Sequence, residues 1–135
     1  MRFLLDRNVV TEVAKPRPNA RLMNWLLAHE LASGVPSIVI AERYKGAHDA
    51  PKEKRVRLLA EVDHFVRTFS EAIVPFDAEA ARVWGEYISR PALKLKPRSY
   101  PDTQIAAIAL SRGLTIVTRN TRDFPEVPVI NPFED

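Results

Sequence analysis

Four acidic side chains stand in four separate segments of the chain. They are Asp6 in Leu4-Leu5-Asp6-Arg7-Asn8, Glu42 in Ile40-Ala41-Glu42-Arg43, Asp102 in Pro101-Asp102-Thr103-Gln104, and Asp123 in Thr118-Arg119-Asn120-Thr121-Arg122-Asp123-Phe124. Each lies where an apolar run stops or a helical pattern starts, which is where parallel sheets present ligands. If the four converge, like charges about 5 Å apart repel by roughly 3 kcal/mol per pair at an effective dielectric near 20. Protons or cations must then relieve the cluster. Carboxylate oxygens without histidine or cysteine form a hard ligand set, suited to magnesium, with manganese as a substitute, rather than to zinc. Such a set matches hydrolysis of a phosphodiester by activated water, with no protein nucleophile required.

Each acid also has a simpler reading. Asp6 can be a polar residue that ends a strand, and Asp102 can merely complement a helix N-terminus. Glu42 stands where acids are common in helices, and Asp123 can be a turn residue ahead of Phe124. The order and context of all four, not any one of them, point to chemistry.

Whether they can meet depends on the elements that carry them. Residues 3–5 read as a strand, followed by a turn at Asp6-Arg7-Asn8 and a short helix that breaks before Pro16. Asn19 is placed to cap a helix with Leu22, Trp25, Leu26 and His29 on one face, ending near Ser33-Gly34. Residues 35–40 read as a second strand, with Pro36 at its start where a missing donor is tolerated. A helix over residues 41–48 then sets Glu42 in its first turn. Pro51 opens a long helix with a stripe of Val56, Leu59, Val62, Val66 and Phe69 and an outward set of Lys52, Lys54, Arg55, Arg57 and Arg67. A third strand covers residues 73–76. Asp77 caps a helix carrying Ala80, Val83, Trp84, Tyr87 and Ile88, and Pro91 ends it. Residues 90–100, with Lys94, Lys96 and Arg98, read as a surface loop. Ser99, with Pro101 next and Asp102 three positions on, starts a helix that runs through Ile105, Ile108 and Ala109 to Gly113 in the left-handed C-terminal position. Residues 114–118 form a fourth strand, and residues 127–130, with Pro128, an edge strand.

Strands separated by helices, with no tight hairpin signal, argue for one α/β domain over residues 1–135, built on a parallel sheet of four to five strands flanked by helices. In such a sheet the C-terminal strand ends share one edge, and distant acids can meet there. A chain of 135 residues, 46% of them hydrophobic, is large enough for a core without staples. The absence of cysteine excludes disulfides and thiolate metal sites. The N-terminal apolar stretch is too short for a signal peptide, and no run reaches the roughly 18 apolar residues of a membrane span. The expectation is a cytoplasmic protein with no membrane partner. A net charge of +3 permits a polyanionic partner without requiring one. His29, His48 and His64 lack metal-ligand spacing, and Trp25, Trp84 and Tyr87 are most simply core residues.

The segments also resemble a known family. Leu-Leu-Asp-x-Asn-Val-Val-x-Glu at residues 4–12, Ala41-Glu42 with Gly46 soon after, Asp102 leading Ile105-Ala106-Ala107, and Gly113-Leu114 running into Val117-Thr118-Arg119-Asn120 and Asp123-Phe124 resemble the PIN-domain ribonucleases. The likeness is specifically to VapC-like toxins of toxin–antitoxin pairs, and it spans nearly the whole chain. It implies a three-layer PIN-like fold and an acidic tetrad of Asp6, Glu42, Asp102 and Asp123 around one or two magnesium ions, with Thr118 and Asn120 in support. It further implies cleavage of RNA, often tRNA or ribosomal RNA, a cognate antitoxin as partner, and a homodimer.

One position departs from the family pattern. Where the family usually has Thr or Ser between the Asp and the Asn, this chain has Arg7, which carries a permanent charge and can fork onto a carboxylate. In an extended segment neighbours face opposite sides, so Arg7 is expected to point away from Asp6. The alternative is that Arg7 occupies part of the tetrad, leaving a weak or inactive module that binds RNA or a partner. A receiver-type signalling domain also gathers acids at strand ends, but it expects a lysine after a late strand, where this chain has Arg119-Asn120. An Asp-x-Asp phosphatase expects an acid where Asn8 stands. Lys94, Lys96 and Arg98, with Arg43, Lys45, Arg119 and Arg122, are candidates for holding phosphates.

Overall fold

The computed structural model describes residues 1–134. Its strands are β1 (Phe3–Leu5), β2 (Ser33–Pro36), β3 (Ile73–Val74), β4 (Thr115–Val117) and β5 (Val129–Ile130). All pair in parallel, in the order β3-β2-β1-β4-β5. The chain winds outward from β1 to β3, then returns to lay β4 on the other flank of β1. The winding therefore reverses between β1 and β4, and a crevice opens beyond their C-terminal ends.

Period-two alternation splits the apolar residues of β1 and β4 between two layers. Phe3 and Val117 pack with Val9 of α1 (Arg7–Val13), Leu22 of α2 (Ala20–His29) and Phe133. Leu4 and Ile116 face the other way, onto Val39 of α3 (Ser37–Asp49), Ala80 and Tyr87 of α5 (Ala78–Ile88), and Ile105 and Ile108 of α7 (Tyr100–Arg112). The expected three-layer α/β architecture is thus present, with five strands. Gly34 in β2 allows the closest approach: a Cβ there would lie 2.5 Å from Met1 Sδ and 2.8 Å from Val74 Cγ2. Among the described residues no helix is long and apolar enough to cross a membrane.

Three local readings change. Residues 37–40, taken as the end of the strand over 35–40, belong to α3, which starts at Ser37. A short apolar run cannot be assigned by period alone, and here the helix buries Val39 while Ser37 Oγ accepts the Phe76 N–H at 3.1 Å. Glu42 therefore sits in the second turn of α3, not the first. In α4 (Lys52–Thr68) the inward stripe is Leu58, Leu59, Val62, Phe65 and Val66, with Arg55 half-buried beside it. Val56 is 80% exposed and Phe69 46%, so the stripe was out of phase at both ends. Residues 90–100 are not simply a loop. Helix α5 ends at Ile88, before Pro91, and Pro91 opens α6 (Pro91–Leu95), which is pinned by the buried side chain of Leu93.

The start and the end of α7 form as the sequence implies. Ser99 caps α7, accepting the Asp102 N–H at 3.3 Å. Gly113 closes the helix in the left-handed region at φ 66°, where a side chain would be strained.

Candidate active site

Asp6 leaves β1 by donating its N–H to Val117 O at 3.0 Å, which fixes it at the junction of the two central strands. It then caps α1: Oδ1 accepts the Arg7 N–H at 2.7 Å. Oδ2 accepts the Thr118 hydroxyl at 2.8 Å and Asn8 Nδ2 at 3.4 Å. Thr118 is fully buried, and its Oγ1 accepts Asn8 Nδ2 at 3.2 Å and the Asn120 N–H at 3.0 Å. Asn8 Oδ1 accepts the Arg119 N–H at 3.2 Å. Three donors thus hold one carboxylate against the end of β4, and the Arg119 and Asn120 N–H groups hold two of those donors. Burial pushes the Asp6 carboxyl above its ordinary range; the Thr118 and Arg7 hydrogen bonds and the Arg7 charge pull it back, and the Glu42 charge pushes it up again.

The other acids arrive from three directions. Asp102 stands in the first turn of α7, half-buried. Burial raises its carboxyl too; a hydrogen bond with Ser99 opposes this, and the negative charges of Asp123 and Asp6 add to the rise. Asp123 ends a 3-10 turn over Thr121–Asp123 and donates its N–H to Asn120 O at 3.1 Å. Asn120 therefore presents Asp123 through its main chain, while its side chain is exposed. The negative charge of Glu42 reaches Asp6 from the other side of the site. The four acids form one electrostatic neighbourhood.

Arg7 lies within it. The segment after Asp6 is a helix start, not an extended strand, so the expectation that Arg7 points away is overturned. Arg7 Nη1 forms an ion pair with Glu42 Oε2, and the arginine charge reaches both Asp6 and Asp102. The second Glu42 oxygen, Oε1, is buried with no hydrogen-bond partner.

The donor set suits a hard divalent cation. The oxygens are all from carboxylates, two of those carboxyls are raised by burial and by neighbouring negative charge, and one oxygen is orphaned. Among the described residues, however, no three acidic or histidine side chains are grouped tightly enough to hold an ion as they stand. A cation would have to draw the carboxylates inward and take the place of Arg7 at Glu42.

The basic candidates divide. Arg98 is committed to main-chain carbonyls, donating to Lys96 O at 2.5 Å and from Nη2 to Arg122 O at 3.1 Å. Arg119 reaches Glu12 at 3.4 Å and lies 4.1 Å over the Phe133 ring. Arg43 sits over Phe65 and Lys45 pairs with Asp49. Lys94, Lys96 and Arg122 remain exposed. A groove of about 450 Å³ beside Asp123 is lined by Arg119, Asn120, Thr121 and Arg122.

A model of the PIN domain matches residues 3–130. The chain belongs to the PIN domain family. It is 32% identical to Toxin FitB of Neisseria gonorrhoeae over 138 residues, covering 98% of this chain and 99% of that protein. It is 31% identical to the tRNA(fMet)-specific endonuclease VapC of Shigella flexneri over 127 residues, 94% of this chain and 92% of that one. The crystal structure of FitAcB from Neisseria gonorrhoeae superposes with a TM-score of 0.84 at 30% identity, covering 98% and 99% of the two chains.

Two residues of this PIN domain escaped notice in the sequence. Asn8 was seen only as part of the motif, yet it links Asp6, Thr118 and Arg119. Glu12, only 6% exposed, accepts from Lys15 at 3.0 Å and from the Asn19 N–H at 2.9 Å, and holds Arg119. Like Asn8, it was seen only as part of the motif, as the last residue of the run at 4–12.

Proposed function

We propose that this chain is a magnesium-dependent endoribonuclease and the toxin of a toxin–antitoxin pair. The observation that carries the reading is the buried Asp6 carboxylate, held by Thr118, Asn8 and the Arg7 N–H within the field of Glu42 and Asp102. Removing a carboxylate from water is costly unless a cation compensates it. The names borne by relatives of nearly full-length similarity, a toxin and an endonuclease acting on tRNA(fMet), supply the substrate class.

Asp6, Glu42, Asp102 and Asp123 would hold the ion. Magnesium, when bound, supplies a Lewis acid for the phosphate and lowers the pKa of water. Thr118 and Asn8 keep Asp6 oriented, so that its charge is in place before substrate arrives. Lys94, Lys96 and Arg122 offer charge for the flanking phosphates. A nuclease that cuts RNA of its own cell must be held off, which is the role of a cognate antitoxin.

The test is cleavage of tRNA and ribosomal RNA by wild type and Asp6→Asn, with magnesium and with chelator. Asparagine is as good an N-cap as aspartate, so α1 should survive. Cleavage should require magnesium and fall about 10²- to 10⁴-fold in the variant, the range lost when an activating group is removed. Undiminished cleavage in chelator, or by Asp6→Asn, would sink the reading. The Arg7–Glu42 pair favours a second reading, a weak or inactive module that binds RNA or a partner. Magnesium-dependent cleavage by wild type removes that one.

A further inference from the structure

We propose that Arg7 is an internal competitor for the divalent ion: its guanidinium occupies Glu42 in the metal-free protein and must leave before an ion binds there. Arg7 then sets how tightly the site takes up magnesium. This deepens the metal-dependent reading and rests on it.

The placement follows from the local fold. Asp6 caps α1, which makes Arg7 the first helical residue. Side chains of a helix lean toward its N-terminus, and this one returns over the strand end to meet Glu42 on α3. The arginine side chain is 56% exposed and the glutamate 21%, so the pair can open without unfolding anything beneath it. Among the described residues no other lysine or arginine forms an ion pair with any of the four acids. The nearest alternatives in sequence are committed elsewhere: Arg43 to the Phe65 ring, and Arg119 to Glu12 and Phe133.

The pairing is also incomplete. Arg7 satisfies one Glu42 oxygen and leaves the buried Oε1 without a partner. A guanidinium brings one charge to four carboxylates, and it cannot be removed by titration. A divalent ion brings two charges in a smaller volume and can accept oxygens from several carboxylates at once. The arginine is therefore an adequate but inferior occupant, and displacing it subtracts from the ion's affinity.

The test is direct binding of Mn2+, by electron paramagnetic resonance or calorimetry, to the full chain. Four proteins are compared: wild type, Arg7→Thr, Glu42→Gln and the double variant. Arg7→Thr should bind about tenfold more tightly, equivalent to ~1.4 kcal/mol, and Arg7→Lys, which keeps the charge but not the fork, should fall between. In the Glu42→Gln background the same arginine substitution should change little, because the competition runs through Glu42. Equal or weaker binding by Arg7→Thr, or equal tightening in the Glu42→Gln background, would overturn the role of Arg7 while leaving the metal site standing. Absence of Mn2+ binding by every protein up to millimolar concentration would remove the metal reading itself, and this inference with it.

Discussion

Asp6 enters the crevice with both carboxylate oxygens bonded to uncharged donors of its own scaffold, whereas Glu42 enters it with one oxygen on an exposed arginine and the other on nothing. The two acids share a neighbourhood but are held by different physics. Thr118 and Asn8 are short, buried or half-buried, and tied at both ends, so they fix the Asp6 oxygens without neutralising them. The long arginine neutralises Glu42 without fixing it, because its own side chain is mostly in solvent. One half of the site is built before any ligand arrives. The other half is adjustable, and it is there that occupancy can be tuned.

The contrast is broken most severely at Thr118. Thr118→Val keeps the shape and removes one hydroxyl that donates to Asp6 and accepts from Asn8 and from the Asn120 N–H. Leaving those groups unpaired in a buried site should cost about 1–3 kcal/mol, and cleavage at saturating magnesium should fall about 10- to 100-fold, as when a ligand loses its support. Glu42→Gln, at an exposed ion pair, should cost less than about 1 kcal/mol of stability. Urea melts of the two variants in chelator make the comparison. Equal losses would mean that both acids are held alike.

What the sequence revealed of this arrangement follows the same division. Elements with local signatures were readable: the Ser99 cap, the Gly113 stop, the Asp77 cap, and the strand–helix alternation that puts Asp6 and Thr118 at neighbouring strand ends. The helix α7 was bounded on both sides by these signals, although its middle, Ile105 to Ala109, is buried all round. The segment 35–40 was read as strand throughout because a short run of mostly apolar residues fits either period, and packing of Val39 with the α5 and α7 core decided for helix from Ser37 on. The α4 stripe slipped because exposed Val56 and Phe69, the latter just past the helix end, were counted as core. At the site, residue types marked the acids, but contact did not. Arg7 was misplaced because its direction depends on where the helix begins, which is at Arg7 itself, two residues earlier than the Asp6-Arg7-Asn8 turn allowed. The Glu12–Arg119 link spans 107 positions, and no local pattern announces it.

Acid should separate the two halves next. A folded carboxyl raised above its unfolded value favours the protonated form, so its contribution to stability is fully present below the unfolded pKa of about 3.9 and is lost as pH rises through the folded value. Asp6 and Asp102 are both raised, chiefly by burial. In chelator at neutral pH, Asp6→Asn should therefore be more stable than wild type. The advantage should shrink on acidification through the raised pKa and vanish below the unfolded one. Magnesium at neutral pH should stabilise wild type more than the variant. Thermal melts across this range would count against the buried-charge account if the two proteins kept a constant difference.

The smallest expected effect concerns how the remaining two acids are brought together. Arg98 reaches from just before α7 to the carbonyl of Arg122, one residue ahead of Asp123, so it joins the segment that carries Asp102 to the turn that carries Asp123. It acts as a strut, with its guanidinium spent on carbonyls, whereas Lys94 and Lys96 lie in solvent and are free to meet phosphate. Replacing both lysines by alanine should flatten the salt dependence of RNA binding by about 1.4 in log–log slope, at roughly 0.7 per single-strand phosphate contact. Arg98→Ala should leave that slope near its wild-type value and instead weaken Mn2+ binding, because Asp102 and Asp123 are then less firmly paired. A slope change in Arg98→Ala matching one lysine would return Arg98 to the phosphate-binding set, and would mean that the bonds to Lys96 O and Arg122 O open whenever RNA is bound.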